Sequence, residues 1–339
     1  MLFGPVPVDQ ALGAVLAHSV ALGNGRLRKG VVLTAGDIAA LQGAGLTAVT
    51  VARLEADDVG EDHAATALAQ ALVPDGVGQC LAVTPAFTGR VNLNARGPGV
   101  VEVDADAVLA LNRVDPAITL ATLAPLTRVA AGTLVGTVKI IAYGVRAAHV
   151  AQACSVARAA IRVRPVVLQS AGLILTEVPG QDPKLAAKGR RAVEARLRAL
   201  GVSQIVCVTV SHNVGAVADA IARIPGDLVL ILTGSATSDL HDVAPSAVRM
   251  AGGQVMRFGM PVDPGNLLFL AELGARQVIG LPGCARSPSL NGADWVLERL
   301  ACGLTVTSDD IAAMGVGGLL KEIPIRPQLR EPKARKDGT

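Results

Sequence analysis

Between residues 166 and 300, short apolar runs alternate with helical patterns, and this alternation limits the fold more tightly than anything else in the chain. The stretch 166–176, VVLQSAGLILT, is apolar up to Thr176; 184–200 has helical spacing, 205–210 reads as a strand, 214–224 as a helix and 228–233 as a strand. A helix over 243–250, a strand over 277–281 and a helix over 295–300 complete the series. Such alternation implies βαβ units and a parallel sheet with both faces covered. The expected fold class is α/β, a three-layer, doubly wound, mostly parallel sheet. Crossovers of one hand put the ends of successive strands on one rim. The residues expected there, Thr176 and Glu177, 211–213, 234–242 and 282–284, are small or polar.

The run LVLILTGSATSDLHD, 228–242, shows the change most sharply: a buried strand breaks into hydroxyl-rich residues and ends in acids. The groove outside such strand ends collects backbone N–H groups that suit phosphates. Gly234 allows a tight turn, Ser235, Thr237 and Ser238 add short donors, and Asp239 and Asp242 offer oxygen ligands for a hard cation such as Mg²⁺. A second reading stands beside this one, in which the Ser and Asp residues cap the following helix. His241, next to Asp242, is either a proton shuttle or a surface histidine.

At 339 residues the chain is too long for one ordinary core. Four divisions are expected: an α+β segment over 1–75, a β-rich domain over 76–165, the α/β domain over 166–303, and a short helix with an extended tail over 304–339. Within the first, 8–17 reads as helical, 35–44 as a helix, LTAVTVARL as a strand and 61–72 as an Ala-rich helix. In the second, TVKIIAYGV gives the clearest strand signal, and Arg90, Asn92, Asn94 and Arg96 either line a pocket or mark turns. With one Trp, one Tyr and four Phe there is little for bases to stack on, and a net charge of +3 steers no polyanion, so nucleic acid is not an expected partner. The basic cluster Lys184, Lys188, Arg190, Arg191, Arg196 and Arg198 reads as a solvated helix face, with a phosphate or partner site as the second reading. Five scattered cysteines, no stretch of about eighteen apolar residues and no signal-peptide pattern point to a reduced, cytoplasmic protein without a membrane span.

Four segments in order carry a family resemblance. LILTEV is similar to a Leu-Thr-Gly-Asp-Glu turn, TGSATSDLHDVAP to a Thr-Gly-Gly loop leading into Asp-Val-x-Pro, VDPGN to Lys-Pro-Gly-Lys, and GLPGC to Gly-Leu-Pro-Gly-Asn. The chain therefore resembles, over roughly residues 166–303, the molybdopterin-binding domain of molybdenum cofactor biosynthesis proteins, the family of molybdopterin molybdotransferases and adenylyltransferases. LRKGVVLTAGDIAALQGAGLTAVTV also looks like the start of the larger molybdotransferase-type proteins.

The resemblance implies that molybdopterin is held by Thr176, Glu177, Thr233, Gly234, Ser235, Thr237, Ser238, Pro264, Gly265, Pro282, Gly283 and Cys284. It gives Asp242 the catalytic role, either holding Mg²⁺ or assisting transfer at the dithiolene, and Asp239 stands beside it as a Mg²⁺ ligand on the reading of the residues. Phosphoryl or adenylyl transfer needs positioning and charge neutralisation, which backbone amides and a metal-bound carboxylate supply. The chain departs from the pattern at Ser235, Glu177, Asp263, Asn266 and Cys284, and replacing two lysines by Asp263 and Asn266 removes positive charge from a phosphate-facing loop. Cys284 is either a soft ligand for molybdenum or a small hydrophobe. Two functions follow: a biosynthetic transferase acting at the pterin phosphate or dithiolene, or a non-catalytic cofactor carrier. A third, a nucleotide-dependent hydrolase on the same sheet, rests on the fold alone. The expected partners are the pterin, ATP, further copies of the chain as a homo-oligomer, and a nucleotidyltransferase or molybdoenzyme.

Overall fold

The computed structural model describes residues 1–320 apart from Asn24, Gln181 and Pro264. The tail expected beyond residue 320, and the Pro264 expected in the site, lie outside the described residues. The chain forms two units, Met1–Pro165 and Val166–Thr339.

The first unit opens with an antiparallel sheet in which Ala48–Arg53 lies between Leu2–Pro7 and Val15–Leu16. Residues 8–17, expected to be helical, form instead a 3₁₀ turn over Val8–Gln10 and the short strand Val15–Leu16. Gly13, at φ +75°, breaks any helix between them. The helix Ala35–Gly43 starts where the Thr34 hydroxyl accepts from the Asp37 N–H and the Asp37 carboxylate accepts from the Thr34 N–H. Further along, a four-stranded antiparallel sheet places Leu134–Ile140 between Ile118–Thr122 and Arg90–Ala95, with Leu81–Val83 at its edge. The helix Glu61–Leu72 buries Ala64, Ala65, Leu68, Ala69 and Leu72 in the same core as this sheet. Two ten-residue helices, Ala105–Val114 and Ala147–Val156, interrupt the segment expected to be β-rich. Asp104 caps the first of them, its carboxylate accepting from the Ala107 N–H at 2.9 Å. Asn92 lies in a strand, where its Oδ1 accepts from the Thr137 hydroxyl, and Arg96 donates to the Leu81 carbonyl.

The second unit is a mixed α/β structure on a six-stranded sheet. Its strands are β1 (Ser170–Glu177), β2 (Gln204–Ser211), β3 (Leu228–Leu232), β4 (Gln254–Met260), β5 (Asn266–Leu273) and β6 (Arg276–Leu281). Their order across the sheet is β2-β1-β3-β6-β5-β4. Pairs β2/β1, β1/β3 and β3/β6 are parallel, whereas β6/β5 and β5/β4 are antiparallel. The expected sheet thus gains two strands, β4 and β5, of which β5 runs against the other five. β4 escapes a reading by alternation because Arg257 and Gly259 interrupt its apolar pattern.

The helices are α1 (Pro183–Ala199), α2 (Val214–Arg223), α3 (Val243–Met250), α4 (Gly292–Ala301) and α5 (Ser308–Ala313). Side chains of successive strand residues enter different cores. Leu173, Leu175, Leu228, Leu230 and Leu232 pack with α1 and α4, while Ile174, Val229 and Ile231 pack with α2 and α3. Every residue of β3 is buried, so this strand reads as an unbroken apolar run rather than an alternating one. Each such leucine contributes about 1.5–3 kcal/mol relative to exposure.

Candidate functional site at the strand ends

The parallel strands β1, β2, β3 and β6 end at one side of the sheet. The register pairs Glu177 with Ser211, and Leu175 with Leu232, so the residues that follow are set side by side. Thr176, 3% exposed, joins them. Its Oγ1 accepts from the Gly234 N–H at 2.8 Å and shares a hydrogen bond with His212 Nδ1, also at 2.8 Å. The His212 N–H in turn donates to the Glu177 carbonyl at 3.0 Å. Thr233 and Thr237, both buried, bring their hydroxyls to 3.4 Å. Arg286, on the 3₁₀ turn Gly283–Arg286 after β6, donates from Nη2 to the Thr233 carbonyl. Burial holds its guanidinium below the usual arginine range.

Two of the segments singled out in the sequence therefore meet by a direct hydrogen bond, LILTEV with TGSATSDLHD through Thr176 and Gly234, and a third, GLPGC, is brought to them by Arg286, two residues beyond it, which donates to the Thr233 carbonyl. The fourth, the turn between β4 and β5, reaches the same end of the sheet, because Asn266 lies beyond the Phe269–Gly280 pair toward the end of β6. It is packed inward there. Asp263 and Asn266 are 6% and 5% exposed; the Asp263 N–H donates to the Gly318 carbonyl at 2.6 Å, and Asn266 Oδ1 accepts from the Leu268 N–H at 3.1 Å. These two residues are not the open, phosphate-facing positions expected from the motif. Gly265 is exposed at φ +91°.

Asp242 caps α3. Its Oδ1 accepts from the Val243 N–H at 2.7 Å and its Oδ2 from the Ser238 N–H at 2.9 Å. Asp239 Oδ1 accepts from the His241 N–H at 2.7 Å, and the Ser238 hydroxyl donates to the Ala236 carbonyl at 3.4 Å. Both carboxylates thus serve the main chain of their own turn. Among the described residues no three His, Cys, Asp or Glu side chains gather as a metal site. Asp239 and Asp242, expected as Mg²⁺ ligands, are thus seen here as caps of their own turn, with no third such side chain beside them among the described residues. Ser235 and Gly283 are exposed, Cys284 is half-buried and Pro282 is buried.

The loop carrying Arg286 is held from below by Arg196 of α1. This side chain, 12% exposed, donates to Asp294 Oδ1 at 2.5 Å and to the carbonyls of Ala285 (3.0 Å), Ser287 (2.7 Å) and Ser289 (3.0 Å). The basic cluster of α1 is accordingly not one solvated face. Arg196 points inward, and Arg190 and Arg198 both pair with Glu194, at 2.7 and 3.0 Å. Sequence reasoning passed over His212 and Arg286. His212 lies in the predicted rim stretch 211–213, and Arg286 two residues beyond the quoted GLPGC, so both had a positional signal without a chemical one.

Comparison with known proteins adds little to this geometry. Residues 5–53 match the model of a family described as a domain of unknown function, DUF8806. No curated protein matches the chain in sequence. Among solved structures, the molybdopterin biosynthesis moea protein from Pyrococcus horikosii is similar at 14% identity, over 89% of this chain and 75% of that one, with a TM-score of 0.32. A likeness at that score supports no argument about function. Among the described residues no helix is long and apolar enough to cross a membrane.

Proposed function

We propose that the strand-end rim of the second unit binds molybdopterin, and that the protein acts in the biosynthesis or delivery of the molybdenum cofactor. The observation that carries this reading is the joining of LILTEV and TGSATSDLHD, two segments of one family's pattern, by the Thr176–Gly234 hydrogen bond, with the loop that follows a third, GLPGC, tied to them by the Arg286–Thr233 bond. Thr176, Thr233, Gly234, Ser235 and Thr237 line the proposed site, with His212 and Arg286 added to them. Residues 166–303 form the binding division in this reading, within a three-layer arrangement, and 1–75 and 76–165 are the two divisions before it.

Of the two functions, the carrier is favoured by a specific observation. Both oxygens of the Asp242 carboxylate accept from main-chain amides, those of Ser238 and Val243, so a metal-assisted transfer would have to share this carboxylate with the cap of α3. The recipient in this reading is a nucleotidyltransferase or a molybdoenzyme. Anaerobic titration of the full chain with molybdopterin, with and without Mg²⁺ and ATP, tests it. Binding without product is the expected result. Appearance of an adenylylated or molybdenum-loaded pterin would make the protein a transferase, and absence of binding would end the reading.

A further inference from the structure

Two arginines of the second unit have their pKa lowered by burial, and their surroundings differ. Arg299 faces Asp310 and Glu298, whose charges offset the loss of water. Arg286 is lowered by burial, and the Thr233 carbonyl is its hydrogen-bond partner among the described residues. Arg196, 12% exposed, is matched by Asp294 and several carbonyls. A guanidinium half withdrawn from water and met by one neutral acceptor is held at a cost that an anion would relieve. Its planar fork of five donors suits a tetrahedral oxyanion better than an ammonium does.

The chain also makes room for this side chain. Gly189 lies inside α1, where glycine costs about 0.5–1 kcal/mol relative to alanine. A Cβ there would come within 2.8 Å of Arg286 Nη1 and 2.7 Å of Leu232 Cδ2. The guanidinium therefore lies between the helix and the end of β3, with Nη2 on the Thr233 carbonyl.

We infer that Arg286 is the anion anchor of the rim and receives the phosphate monoester of the bound ligand. The inference rests on the reading of this rim as a ligand site, and assigns to Arg286 the charge that the turn bearing Asp263 and Asn266 does not supply. Inorganic phosphate and glycerol 3-phosphate, titrated calorimetrically into the full chain at low ionic strength, are the probes. Both are expected to bind saturably. Arg286→Gln is expected to weaken both at least tenfold, which is about 1.4 kcal/mol. Arg286→Lys, keeping the charge without the fork, should weaken them less. Gly189→Ala, which keeps the guanidinium and crowds it, should also weaken them, and it carries the test should Arg286→Gln fail to fold.

Equal affinity of wild type and Arg286→Gln would overturn the inference, as would absence of saturable binding to the wild type. Molybdopterin titrated in parallel separates the two readings. Phosphate held through Arg286 with no pterin bound would end the proposed function and leave the anchor standing. Pterin bound equally by wild type and Arg286→Gln would end the anchor and leave the function.

Discussion

Thr176 holds two neighbouring strand ends with one oxygen, and its removal separates stability from shape. Thr176→Val keeps the volume but leaves the Gly234 N–H without its acceptor and His212 Nδ1 without its hydroxyl. The expected loss is about 1–3 kcal/mol, read as a lowered urea midpoint, together with weaker ligand binding. An unchanged midpoint would mean that water replaces the hydroxyl. The Thr176–His212 contact is not legible in the sequence, because thirty-six positions separate the two residues and only the parallel register brings them together. His241 attracts notice by standing next to an acid, yet it is exposed, and what it gives to its surroundings is main-chain: its N–H donates to Asp239 and its carbonyl accepts from Ser246. Adjacency along the chain is visible to a reader of sequence. Adjacency across strands is visible only once the pairing is known.

At the scale of elements, α1 and the loop after β6 are tied together by a single side chain. Arg196→Met would strip Asp294 of its cation and four carbonyls of their donor, those of Ala192, Ala285, Ser287 and Ser289. Breaking one partner of a buried pair costs about 3–5 kcal/mol. Urea unfolding followed by the fluorescence of Trp295, which packs against the same core, should show that loss, and Arg196→Met with Asp294→Asn should recover part of it. A loss below about 1 kcal/mol would mean that the pair behaves as a surface ion pair. The helix is legible from its spacing; the inward turn of one arginine among six basic residues is less so. Its signal is that Arg196 follows Val193 by three positions and adjoins Leu197, on the buried side of the helix. The strands β4 and β5 leave a fainter trace, since a short hairpin with a broken apolar pattern resembles the loop for which its turn residues argue.

For the whole molecule, acid should destabilise both units, and the sign follows from the carboxylates. In the second unit, hydrogen bonds from Arg190 hold Glu194, and from Thr307 hold Asp310, below the ordinary range. In the first, burial pushes Glu102 and Asp115 up but is outweighed, by Arg164 and Arg162 for Glu102 and by the Ala117 N–H and His149 for Asp115, so both are lowered. A folded pKa below the unfolded one contributes stability above the unfolded value, about 4.3 for Glu and 3.9 for Asp, and that stability is lost as pH falls through the folded value. Glu61 runs the other way: burial raises its carboxyl, so its contribution is present at low pH and lost as pH rises. With six lowered carboxylates, Asp37 and Asp58 among them, against one raised, urea midpoints should drop steadily below about pH 4.5. The single Trp, Trp295, reports on the second unit and the single Tyr, Tyr143, on the first. Midpoints that stay flat from pH 6 to 3 would contradict this. The parallel core of the second unit is legible from alternation alone, but its reversal at β5 is not, and that reversal divides the sheet into two sets of strands. β1, β2 and β3 form one set, and β4, β5 and β6 form a meander contiguous in the chain, so that β3 against β6 is their only seam. Arg286 meets Thr233 across that seam. The anion position thus comes into being only when the two sets join, and a chain that assembles both but mispairs them keeps most of its hydrogen-bonded strands while losing the arginine that meets the ligand's anion.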